Sequence, residues 1–126
     1  MKKIRNERFH PNFDDIDLPI IEKHFNTETF IEFMEILDKE INNLHKYPIQ
    51  NTTKCEYPRL STDNYRKLKF HSVLKPMKNT KADMRVIYRY IEEKDMLQFL
   101  AVGLRYTDKP NIYDRANDRE DNEFDI

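Results

Sequence analysis

The sequence predicts an α+β domain: an N-terminal helical pair packed on a small twisted antiparallel sheet, with a short helix at the C-terminus. Three observations carry that prediction. An apolar stripe at helical spacing runs through residues 30–44, and from Tyr65 the apolar period changes to two. The chain is 126 residues long, the size of one core. Apolar residues are only 38% of it, but they include 8 Phe and 7 Tyr, enough large side chains to fill a core.

Residues 4–13 supply a short first strand, and Pro11 weakens its end. Residues 15–24 read as a short helix, with Asp17 as N-cap and Pro19 in the first turn. Asn26-Thr27-Glu28-Thr29 is a helix-start cluster. Behind it Phe30, Phe33, Met34, Leu37, Ile41 and Leu44 step by three or four residues along one face, which belongs to the core. This helix stops before Pro48, because the residue preceding proline is biased away from helix. Residues 49–64 hold Pro58 and show no period, so they form a connection.

Leu68 and Phe70 alternate with Lys67, Lys69 and His71, the pattern of a strand. Residues 71–83 are polar, with Pro76 and Asn79-Thr80, and form a loop. Residues 84–91 form the next strand, with Met84, Val86, Tyr88 and Tyr90 on one face and Arg85, Ile87 and Arg89 on the other. Glu92-Glu93-Lys94-Asp95 is a turn into an apolar strand over 96–106, placed centrally, where Gly103 marks a bulge or a close backbone approach. Residues 112–119 form the last helix. The single domain spans 1–119, and the acidic residues 120–126 fray.

Composition excludes several classes. With 1 Gly, the chain has no glycine-rich phosphate loop or Rossmann turn. Cys55 alone makes neither an internal disulfide nor a metal cluster. A mean hydropathy of -0.91 without a long apolar run excludes a membrane helix. The basic start, Met-Lys-Lys-Ile-Arg, is not followed by the apolar stretch of a secretory signal, so a cytoplasmic protein is expected. The net charge of -1 is unevenly spread: residues 64–115 carry 12 Lys and Arg against 6 Asp and Glu, and both flanks are acidic. A basic block of this kind suits a polyanion partner and equally a solvated charged surface.

Four segments, taken in order, resemble the RelE/ParE superfamily of toxins from toxin–antitoxin pairs. They are Arg66-Lys67-Leu68-Lys69-Phe70, Met84-Arg85-Val86-Ile87-Tyr88, Leu100-Ala101-Val102-Gly103-Leu104-Arg105 and Ile112-Tyr113. The likeness covers residues 15–119 and implies a RelE-like fold. Its ribonuclease branch carries a lysine pair, two arginines and a tyrosine at the positions of Lys67, Lys69, Arg85, Arg105 and Tyr113. The resemblance therefore implies a cofactor-free endoribonuclease that cleaves mRNA on the ribosome, with an antitoxin protein, the ribosome and mRNA as partners. Such a protein is expected alone as a monomer or bound to its antitoxin. The superfamily's other branch inhibits DNA gyrase without cutting RNA, so a non-catalytic interaction protein is the alternative.

RNA cleaves when its 2′-OH attacks the adjacent phosphate, which requires removal of a proton, support of a dianionic phosphorane and protonation of the leaving 5′-oxygen. Lys67 and Lys69, two apart on a strand, point to one face. One can serve as base when their mutual repulsion favours neutrality, while the other binds phosphate. Arg85 and Arg105 offer planar forks for phosphate oxygens, and Tyr113 can stack on a base or orient the sugar. Arg66, His71, Arg89, Arg115 and Arg119 are expected around this centre as RNA-binding residues.

Each of these residues alone also reads as an ordinary solvent-facing position, and Arg115 and Arg119 could pair with Asp114, Asp118 or Glu120. Tyr65, Tyr88 and Tyr90 could stack on RNA in a plain binding module, or face the core. His10, His24 and His45 read as structural, and Cys55 as a passive thiol. The sequence pI of 6.4 departs from the strongly basic character of ribosome-dependent members. The acidic tail, lying on the basic face, would damp RNA binding.

Overall fold

A five-stranded mixed sheet, covered on both faces, organises the protein, as a computed structural model describing residues 3–106 and 110–125 shows. The strands are β1 (Asn6–Phe9), β2 (Thr52–Lys54), β3 (Arg66–Phe70), β4 (Met84–Ile91) and β5 (Met96–Leu104), in spatial order β1-β5-β4-β3-β2. The helices are α1 (Leu18–His24), α2 (Thr27–Lys46), α3 (Pro58–Thr62) and α4 (Ile112–Asn117). A π-helical turn, Phe13–Asp17, precedes α1, and 3-10 turns lie at Glu92–Lys94 and Asp121–Asp125.

The sheet is not wholly antiparallel. β1 runs parallel to β5, with Asn6 opposite Met96 and Phe9 opposite Phe99, because the π turn, α1 and α2 carry the chain across one face after β1. β4 and β5 form an antiparallel hairpin whose turn ends on Asp95 in the left-handed region (φ 50°), a conformation Asp tolerates. The same Asp95 accepts from Arg5 Nε at 2.9 Å and ties the N-terminal segment to the hairpin.

The first face is the larger core. Phe33, Leu37, Ile41 and Leu44 of α2 and Ile21 of α1 meet Leu68, Val86, Tyr88, Phe99 and Val102 from the strands. Burying each such side chain contributes roughly 1.5–3 kcal/mol. Asn26 caps α2 by accepting from the Thr29 amide at 2.8 Å, and α2 stops at Tyr47, before Pro48, as the proline requires. The Tyr88 hydroxyl donates to the Pro48 carbonyl, fastening that end to the sheet.

The second face carries its own core of Cys55, Leu60, Tyr65, Ile87, Leu100, Ala101, Ile112, Ala116 and Phe124. A register shift between Ile87 and Tyr88 lets Leu100 and Ala101 both turn toward it. Helices therefore cover both faces, α1 and α2 the first and α3 and α4 the second. The irregular stretch 49–64 holds β2 and α3, both too short to leave a periodic signal. The first strand is confined to Asn6–Phe9, the last helix ends at Asn117, and Gly103 is a site of close approach while the bulge lies at Leu100–Ala101. Residues 121–125 are a helical turn whose Phe124 is buried, where a frayed end was expected. No helix among the described residues is long and apolar enough to cross a membrane.

Candidate functional site

Strand alternation and register build the candidate site from separate parts of the chain. Lys67 and Lys69 of β3 point to the second face; Lys67 lies opposite Ile87 and Lys69 opposite Arg85, which itself lies opposite Gly103 of β5. Gly103 lets α4 come in close. A Cβ there would stand 2.8 Å from Arg115 Nη2 and 2.9 Å from the Ile112 Cβ. α4 starts on a capping box in which Asn111 accepts from the Asp114 amide at 2.9 Å and Asp114 accepts from the Asn111 amide at 3.2 Å. That start fixes Tyr113, whose ring centroid is 6.0 Å from Lys67 Nζ. Tyr57, preceding α3, stacks on Tyr113 with centroids 5.3 Å apart.

Arg85 is 6% exposed, and its Nη1 donates to the Ala82 and Met84 carbonyls at 2.8 Å each. Burial raises the Tyr113 phenol above its ordinary pKa, and the neighbouring Arg85 guanidinium partly opposes the rise. Tyr113 therefore stays protonated near neutrality and acts as a donor or a stacking surface, not as a base. Behind the lysines, burial pushes the Cys55 thiol up to about 11 against the pull of Lys67 and Arg66. Lys67 is half-buried and Lys69 exposed. Four of the five expected catalytic residues, Lys67, Lys69, Arg85 and Tyr113, thus belong to one face of the sheet. Together they can hold a phosphodiester, support negative charge on it and stack an adjacent base.

Arg105 follows directly on the end of β5, two residues past the Gly103 that lies opposite Arg85. Its amide donates to the Asp83 carbonyl at 2.7 Å, and its guanidinium lies over the Tyr106 ring, 4.5 Å from the centroid. The expected RNA-binding ring mostly turns inward. Arg66 alternates to the first face and pins β2, donating to Thr52 Oγ1 at 2.8 Å and the Thr52 carbonyl at 3.0 Å. Arg89 donates to Gln98 at 2.8 Å and Asp121 at 3.2 Å and lies over the Tyr65 ring. Arg115 and Arg119, 8% and 4% exposed, both pair with the buried Asp17. Their role as RNA contacts is corrected, since their donors are spent on the core. His71 is half-exposed just past β3.

Asp17, expected to cap a helix, makes no capping bond. It accepts from Arg115 Nε at 2.9 Å, Arg119 Nη1 and Nη2 at 2.7 Å each, and the Val102 amide at 3.0 Å. The four-residue spacing of Arg115 and Arg119 is a sequence signal for a shared acidic partner, but it does not say which acid. Tyr65 and Tyr88 are fully buried, so stacking on RNA is closed to them. Among the described residues no cluster of three His, Cys, Asp or Glu side chains could hold a metal ion. No protein-family model, curated protein or solved structure matches the chain.

Proposed function

We propose that this chain is a RelE-type toxin that cleaves mRNA on the ribosome and is neutralised by an antitoxin protein. The observation that supports it most is the meeting of Lys67, Lys69, Arg85 and Tyr113 on one sheet face, drawn from β3, β4 and α4. In the proposed reaction the 2′-oxygen bonds to phosphorus and the bond from phosphorus to the 5′-oxygen breaks. The 2′-OH proton passes to one of the site's bases, and a proton returns to the leaving oxygen, giving a 2′,3′-cyclic phosphate and a 5′-OH. Arg85 and the charged lysine support the phosphorane, and the Tyr57–Tyr113 stack offers a platform for a base.

A second reading, a non-catalytic interaction protein of the same superfamily, draws on two observations. Arg85 is largely buried, and the Arg105 guanidinium lies over the Tyr106 ring. Expression in a sensitive host separates the two. On the catalytic reading wild type arrests growth, and Lys69→Ala, a change at an exposed side chain that leaves the fold intact, removes the arrest. Arrest that persists in Lys69→Ala and Lys67→Ala favours the non-catalytic protein.

A further inference from the structure

Arg105 and Tyr106 do not lie on bare surface. They line an open depression of about 370 Å³ together with His24, Lys81 and Asp83. Tyr106 is 75% exposed, so its ring is open to a ligand although the guanidinium lies across it. Lys81 is exposed and forms no ion pair among the described residues. Among the described residues that line it, Asp83 is the one carboxylate, and its two oxygens accept from the Ser72 amide at 2.8 Å and the Ser72 hydroxyl at 2.6 Å. His24 closes another wall, held edge-on against Phe25 at 5.1 Å.

The depression adjoins the proposed catalytic face through one stretch of chain. Ala82, between Lys81 and Asp83, gives its carbonyl to Arg85, while Asp83 gives its own to the Arg105 amide. Residues 81–85 thus link the depression to Arg85. An exposed ring backed by a guanidinium, with a lysine at the rim, is the chemistry that stacks a base and holds its phosphate. We propose that the depression is a nucleotide subsite for single-stranded RNA, with a base stacked on Tyr106 and the phosphate held by Lys81 and Arg105. Its placement beside the scissile phosphate rests on the cleavage reading above; its affinity for RNA does not.

Anisotropy titration of a short single-stranded RNA, read against salt, tests it. Tyr106→Ala weakens binding by about tenfold or more, and Tyr106→Phe retains it. Lys81→Ala lowers the slope of log affinity against log salt by about 0.7. With an RNA carrying abasic sites throughout, wild type and Tyr106→Ala bind alike. Equal binding of intact RNA by wild type and both alanine variants overturns the subsite, as does absence of RNA binding by wild type. Ribosome-dependent cleavage with no Tyr106 effect on binding removes the subsite alone. Tyr106-dependent binding without cleavage removes the catalytic reading alone.

Discussion

At Gly103 the fold has no space for a side chain, because a Cβ there would stand within 3 Å of Ile112 and Arg115 of α4. Both contacts come from the helix that carries Tyr113. Gly103→Ala should cost about 1–3 kcal/mol of stability by overpacking and should move Tyr113 away from Lys67. Urea unfolding reads the first effect and RNA cleavage the second; an unchanged unfolding midpoint would mean that close approach does not set the position of α4. At this scale the grouping of Lys67, Lys69 and Arg85 is legible in the sequence, since period two puts both lysines on one face and antiparallel pairing sets Arg85 beside Lys69. The burial of Arg115 and Arg119 is not, because it depends on an aspartate about a hundred residues earlier. Arg66 shows a simpler limit. Being next to Lys67 in sequence puts it on the opposite face.

Asp17 joins three elements: its own π turn, β5 through the Val102 amide, and α4 with the turn that follows it through the two arginines. The two guanidiniums exceed the one carboxylate in charge, and backbone carbonyls supply the remaining acceptors, Leu100 at 2.8 Å and Pro110 at 3.0 Å. Asp17→Asn leaves two buried cations without a counter-charge, and the expected loss is about 3–5 kcal/mol. Chemical denaturation checks it; a loss within about 0.5 kcal/mol, the range of an ordinary surface change, would contradict a central role for this pair. α2 was legible throughout, because its stripe, cap and terminating proline agree. β2 and α3 were not, since a three-residue strand and a five-residue helix are set by the sheet edge and by packing against β3 and α4, not by local pattern. The parallel placement of β1 likewise follows from where the intervening helices run.

Over the whole molecule, charge is organised more than the net value of -1 suggests. The tail does meet a basic part of the second face, but at Arg59, Arg89 and the Tyr65 hydroxyl, with Phe124 sealing the core beneath. Burial also sets how the fold responds to alkali. It raises the Cys55 thiol to about 11 and the Tyr65, Tyr88 and Tyr113 phenols above their ordinary values. The unfolded chain gives up these protons at lower pH than the folded one. Stability from the protonated groups is therefore complete below the ordinary thiol value, about 8.5, and is lost as pH rises toward 11 and beyond. Equilibrium unfolding across that window should show the decline, and Cys55→Ala should flatten its lower part. In the proposed function the lysine–arginine–tyrosine face cuts RNA on the ribosome. The most direct measurement is the rate of mRNA cleavage with purified translating ribosomes, with the new ends identified chemically, for wild type and for Lys67→Ala/Lys69→Ala. The expected result is ribosome-dependent cleavage leaving a 2′,3′-cyclic phosphate, slowed at least about a hundredfold in the double variant. No cleavage by well-folded wild type, or cleavage at the same rate in the double variant, would contradict it.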